Sequence, residues 1–162
     1  MNVNELFFVN DAGELVRKIT TNYNSKARDV AGSINAVGYI QVSVNGKNRL
    51  AHRVVWEIYN GEIPKGMQID HINHVRTDNR IENLRLVSHQ ENKKNNSMYS
   101  SNSSGVCGVR FDKNRGKWSA SIQVNGKTIN GGRFDNFEAA VDKRKSLEIE
   151  FNFHKNNGLK NV

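Results

Sequence analysis

The chain has 162 residues, enough for one ordinary domain or two small ones. Its 36% hydrophobic residues include no run near the roughly 18 to 20 needed to cross a bilayer, and the first residues lack the basic start and apolar stretch of a signal peptide, so a cytoplasmic protein without membrane contact is expected. Lys and Arg exceed Asp and Glu by 24 to 16, a net charge of +8 that favours a polyanionic partner, and the single cysteine, Cys107, leaves no disulfide framework and no structural zinc held by several thiolates.

In chain order, the N-terminal segment reads as β-rich. LFFV and ELVRKI flank the turn signal NDAG, and YIQVSV runs into Asn45-Gly46, a pair suited to the positive φ angles of a tight hairpin. A short helix is expected over 52–59, with Val55, Trp56 and Tyr59 at helical spacing, ending before Gly61 and Pro64. Residues 68–72 read as a strand, 73–83 as a polar loop and 84–87 as a second strand. A helix should then start at Ser88, where Ser88 and Glu91 have capping-box spacing.

Residues 97–105, SMYSSNSSG, hold five serines and almost nothing apolar, the composition of a connection between packed units. The expected division is 1–96, a linker over 97–104, and 105–162. Beyond the linker, 106–111, 117–124 and 127–134 are strand candidates, the last two joined by Asn125-Gly126. Asp135 with Glu138 can open a helix whose apolar face is approximated by Phe137, Ala140, Val141, Leu147 and Phe151. Residues 97–162 carry a net charge of +5 against +3 for the rest.

The chemistry concentrates between residues 69 and 95. Asp70, His71, His74, Asp78, Asn83, His89, Glu91 and Asn92 crowd one short stretch. Carboxylate and amide oxygens suit a hard divalent cation, and a histidine with a pKa near neutrality can take a proton from water, so the set could hydrolyse a phosphodiester. The rival readings are a turn-forming Asp70 and a structural His71. His71 and His74 also have the H-x-x-H spacing that could share a metal.

The ordered blocks HRVVWE at 52–57, IDHIN at 69–73, DNRIENLRLVS at 78–88 and the E-N pair at 91–92 resemble the HNH endonuclease family, over roughly residues 37–96. The resemblance implies an α+β fold with a ββα-metal core, here following N-terminal β-hairpins. It makes Asp70 a metal ligand, His71 the general base, Asn92 the second protein ligand, and Asn83 the residue that holds the loop and orients the His71 ring. It implies one divalent cation, Mg²⁺ or alternatively Mn²⁺, contacting the scissile phosphate. His74 stands where the family commonly has glycine, so no role transfers to it.

GVCGVRFDKNRGKWSASI and GGRFDNFEAAV, within residues 105–151, resemble the DNA-binding domain of the apetala and ethylene-response-factor family. That resemblance implies a small three-stranded antiparallel sheet, packed on one helix and laid in the major groove of double-stranded DNA. Alternation places Val109, Phe111, Ala120, Ile122, Val124 and Phe134 toward the helix, with Arg110, Lys117, Ser119, Ser121, Gln123 and Arg133 outward. Arg110 and Arg133 are candidates for base or phosphate contact, with Lys113, Arg115 and Lys117 meeting phosphates. Cys107 stands where the family block begins with arginine. The expected function is a metal-dependent DNA endonuclease or nickase of the homing type, from a phage or mobile element. The alternative is a non-catalytic DNA-binding regulator with a degenerate HNH domain.

Overall fold

A computed structural model describes residues 1–95, 98 and 101–158. The chain divides into two compact units, Met1–His89 and Gln90–Val162, ahead of the serine-rich stretch. Residues 97, 99 and 100 of the expected linker, and 159–162 of the expected second domain, lie outside the described residues.

The first unit opens with a single helical turn, α1 (Val3–Leu6), closed by a reciprocal capping box between Asn2 and Glu5. Strands β1 (Phe7–Val9) and β2 (Leu15–Arg17) pair antiparallel. Their turn is organised by Asn10, whose Oδ1 accepts from the N–H groups of Ala12 and Glu14. A second sheet runs β3 (Ser33–Ile34), β4 (Ile40–Val44) and β5 (Lys47–Leu50). Asn45 and Gly46 sit at φ of 50° and 77° in the hairpin between β4 and β5, as the Asn-Gly signal requires.

The helix expected at 52–59 forms as α2 (Ala51–Asn60), but its buried face is Ala51, His52, Val54 and Val55. Val55 is buried and Trp56 packs against the core as expected, but Tyr59 is 54% exposed, which removes it from the expected stripe. The fully buried side chains fall in the first half of α2, while Trp56 and Ile58 pack against the same core with partial exposure. Val54 and Val55 are fully buried, stabilising by about 1.5–3 kcal/mol each, and join Phe7, Leu15, Val42 and Ile69 in one cluster. Strands β6 (Met67–His71) and β7 (Leu84–Ser88) pair antiparallel, with a 3₁₀ turn at Ile81–Asn83 before β7, and α3 (His89–Lys93) follows at once.

The second unit contains β8 (Val109–Asp112), β9 (Lys117–Val124), β10 (Lys127–Phe134) and α4 (Phe137–Glu150), with the sheet in the order β10-β9-β8. Strand β8 starts three residues later than expected. Residues before it are tied by side chains, the Ser104 hydroxyl lying within hydrogen-bond distance of the carbonyls of Val106 and Val109, with Asn102 accepting from the Gly105 N–H. Asn125 and Gly126, at φ of 51° and 78°, repeat the hairpin of the first unit. No helix among the described residues is long and apolar enough to cross a membrane.

Two expectations for α4 change. The cap is Asn136, whose Oδ1 accepts from the Ala139 N–H at 2.8 Å, while Asp135 pairs with Lys117 at 2.9 Å. The helix begins one residue later than the Asp135–Glu138 spacing implies, so Asn136 alone can reach the third amide. The face toward the sheet also contains a charge. Arg144 is 5% exposed between Ala140 and Leu147, donates from Nη1 to the Ser121 carbonyl at 3.0 Å, and pairs with Glu148. Of the inward sheet residues, Val109, Ala120 and Ile122 are buried, but Phe111 is 47% exposed because β8 is an edge strand. Trp118 packs between Phe111 and Phe137, with ring centroids at 5.1 and 4.7 Å.

Removing the Arg144 guanidinium takes a donor from the Ser121 carbonyl and a partner from the Glu148 carboxylate, and leaves a cavity against the sheet. Arg144→Ala should therefore destabilise the second unit by about 2–4 kcal/mol. Urea unfolding followed by Trp118 fluorescence in a Trp56→Phe background measures it, with a lower midpoint expected.

Candidate active site

Strands β6 and β7 set the register of the candidate chemistry. Asp70 lies opposite Arg85, and His71 opposite Leu84. Neighbouring strand residues point to opposite faces, so Asp70 and His71 diverge from one backbone. The Asp70 carboxylate accepts from Arg85 Nε at 3.0 Å and Nη2 at 2.8 Å, both on Oδ2. The two side chains are 12% and 27% exposed, which makes this a largely desolvated, charge-assisted pair across the strands.

His71 is 5% exposed. Its ring meets the His52 ring edge-on, with centroids 4.8 Å apart and planes at 76°, and Tyr39 lies at 5.9 Å. The Arg76 guanidinium covers the Tyr39 ring at 5.1 Å. His71 Nε2 and Asn79 Oδ1 are 3.0 Å apart, and Asn79 is 2% exposed. Burial lowers the His71 pKa, opposed by the Asn79 hydrogen bond and the Asp70 and Asp78 carboxylates. The result favours a neutral imidazole, the form able to accept a proton. His52 is pushed down to about 3, first by burial and then by His71 and Arg53. Its Nδ1 is buried and has no hydrogen-bond partner among the described residues.

Asn83 organises the loop between the strands. Its Oδ1 accepts from the Asn73 N–H at 3.1 Å, its Nδ2 donates to the Asp78 carbonyl at 2.8 Å, and its own carbonyl accepts from the Ile72 N–H. These bonds hold the loop, and Asn79 Oδ1 is an acceptor beside the His71 ring. His74 is buried and has φ of 66°. This left-handed position is one that glycine adopts without strain, which gives a backbone reason for a glycine in its place. Asp78 accepts from Asn73 Nδ2 and, through both oxygens, from Arg80.

Asn92 lies on α3, beyond the division at His89, and so within the second unit. The end of α3 is anchored in that unit. Lys94 Nζ donates to the Phe151 carbonyl at 2.7 Å, the His154 N–H donates to the Lys94 carbonyl, and the Lys94 ammonium and Arg144 guanidinium both lie over the Phe153 ring, at 5.7 and 5.5 Å. His89 is exposed at the start of α3.

No group of three or more His, Cys, Asp and Glu side chains among the described residues forms a metal cluster. A hard cation needs less from the protein. Mg²⁺ is commonly bound through one or two carboxylates with water and phosphate completing its shell, and the Asp70 carboxylate is a donor of that kind.

On the sheet of the second unit, Arg110 and Arg133 both register against Ser119, so they form one exposed row across three strands. Asp112 accepts from Arg115 at 3.2 Å and lies 3.7 Å from Arg133. Lys113 is exposed, and Lys117 is held by Asp135. No ion pair to Arg110 occurs among the described residues. Sequence reasoning missed Asn79, His52, Tyr39 and Lys94. His52 had a signal, since it opens the HRVVWE block, but Asn79 and Lys94 sit in polar runs that read as surface.

The Asp78 carboxyl is drawn down from 3.8 to about 2, chiefly by its hydrogen bonds from Arg80. A depressed folded pKa gives stability that is complete above about pH 4 and is lost as pH falls toward 2. Asp78→Asn should flatten stability against pH in that window. The difference should shrink in high salt, because Arg80 is half-exposed. Denaturation midpoints at pH 2 to 5 measure both effects.

Residues 49–94 match the family model described as HNH endonuclease. Protein 3.8 of Escherichia phage T7 is 40% identical over 79 residues, covering 49% of this chain and 65% of that protein. A protein of Acanthamoeba polyphaga mimivirus named as an uncharacterized HNH endonuclease is 38% identical over 84 residues, covering 51% of this chain and 42% of its own length. Among solved structures, one titled for DNA binding and cleavage by the HNH homing endonuclease I-HmuI aligns with a TM-score of 0.43 and 23% identity, over 56% of this chain and 51% of that one. The chain spans less than two thirds of the length of these relatives. The stretch matched by the HNH endonuclease family is the one that holds Asp70, His71, Asn83 and Asn92.

Proposed function

We propose that this chain is a metal-dependent DNA endonuclease of the HNH type, in which His71 is the general base and the C-terminal unit engages duplex DNA. The observation that carries the reading is a buried histidine, biased to its neutral form and hydrogen-bonded at one ring nitrogen, beside an aspartate in the HNH-matched segment. His71 takes a proton from water as the water oxygen attacks phosphorus. The P–O bond to the 3′ carbon's oxygen breaks, leaving a 5′ phosphate and a 3′ hydroxyl. Asp70 and Asn92 would hold one divalent cation, Mg²⁺ or Mn²⁺, which when bound supplies positive charge to the phosphate and the departing oxygen. Arg85 fixes the Asp70 carboxylate in place through two hydrogen bonds to Oδ2.

In this reading the β8–β10 sheet is a DNA-binding face of the apetala and ethylene-response-factor type, and Arg110 and Arg133 lead its contacts. Tethering it to the nuclease raises the local concentration of both units at one site. The similarity to phage and viral proteins supports action in a phage or mobile element and in the host cytoplasm, and the reading extends to a site-selective nuclease of the homing type.

His71→Ala should abolish nicking of supercoiled plasmid in Mg²⁺ while retaining duplex binding, and EDTA should abolish wild-type cleavage. Sequence-specific binding without cleavage by the wild type would instead establish a DNA-binding regulator. Arg110→Ala should weaken duplex binding by about 1–3 kcal/mol, measured by fluorescence anisotropy across a salt series.

A further inference from the structure

We infer that Asn79, seated against the N-terminal hairpin at Gly13, is the positioning residue that fixes the proton and the ring plane of His71. The inference rests on the nuclease reading above. A neutral imidazole carries one N–H, and whichever nitrogen holds it is decided by the partner of that nitrogen. Asn79 Oδ1 lies 3.0 Å from His71 Nε2, with the two residues 2% and 5% exposed, so water does not compete for this bond. An accepting oxygen there requires the proton on Nε2 and puts the lone pair on Nδ1. The His52 ring at 4.8 Å and the Tyr39 ring at 5.9 Å restrict rotation of the imidazole, and the Asn79 bond favours the tautomer protonated at Nε2.

Asn79 is in turn placed from outside the strand pair. Gly13 has φ of +78°, and its own N–H donates to the Asn10 carbonyl within the β1–β2 turn. A Cβ on Gly13 would lie 2.4 Å from the Arg80 nitrogen and 2.6 Å from the Asn79 carbonyl carbon. The turn therefore lies backbone to backbone against the peptide that follows Asn79. Any side chain at position 13 must displace that peptide and, with it, the acceptor of the His71 proton. On the other side, Asp78 is pinned by Arg80 and by Asn83, so the stretch from 78 to 80 is clamped from both directions.

The test uses the full chain with supercoiled plasmid in Mg²⁺, and separates kcat from KM. Asn79→Ala should lower kcat by about ten-fold to a hundred-fold with KM for DNA within about two-fold, because only proton transfer is impaired. Asn79→Asp, which keeps an accepting oxygen, should recover most of the loss. Gly13→Ala should lower kcat in the same sense. In parallel, ring ¹⁵N chemical shifts of His71, assigned by difference from His71→Ala, should show Nε2 protonated in wild type and a mixture of tautomers in Asn79→Ala, a readout that needs no activity.

A wild-type kcat in Asn79→Ala beside an inactive His71→Ala overturns the role of Asn79 and leaves the nuclease reading intact. An unprotonated Nε2 in the wild type likewise overturns it. Full activity of His71→Ala overturns both.

Discussion

The carboxamide of Asn83 joins both arms of the loop between β6 and β7, accepting from the Asn73 amide and donating to the Asp78 carbonyl. The rest of the candidate site depends on this closure. With the loop ends tied, β6 and β7 have one register, and that register sets Asp70 opposite Arg85. A slip by a single residue would exchange the faces of Asp70 and His71, placing the carboxylate in the core and the imidazole in solvent. The buried Ile69 and Leu84 oppose such a slip, because it would also bring apolar side chains out of the core.

Burial and polarity are balanced unevenly around the two histidines. His52 has a lone buried nitrogen without a partner and is driven far from protonation. His71 is buried too, but Asn79 and two carboxylates resist the effect of desolvation. The contrast follows from position. His52 lies in the first turn of α2, among core side chains, while His71 ends a strand beside a polar loop. One ring works as a rigid wall, and the other retains a basic nitrogen.

Much of this was legible in the sequence where local chemistry decides the structure. Asn45-Gly46 and Asn125-Gly126 announced hairpins because few other residues accept those φ angles, and the strand, loop and strand around Asp70 and Asn83 followed from apolar runs broken by polar ones. What depended on tertiary packing was hidden. Nothing local marks Asn79 as a buried asparagine, since its neighbours Asp78 and Arg80 are those of a surface loop. Arg144 stands between Lys143 and Lys145, so nothing local sets it apart, yet it alone of the three is buried and reaches a strand carbonyl. Asp135 and Asn136 are equally good helix caps by type, and only the start of the helix chooses between them.

The anchoring of Lys94 bears on how such a chain can be inherited. Lys94 lies two residues after Asn92, yet the Phe151 carbonyl and the Phe153 ring that hold it come from after the last helix, far along the chain. The C-terminal unit is therefore more than a cassette appended by a linker. An ancestor that exchanged the segment after α4 for another would also have had to replace the footing just beyond the helix that carries Asn92, so recombination between such genes should favour crossovers that keep the two pieces together.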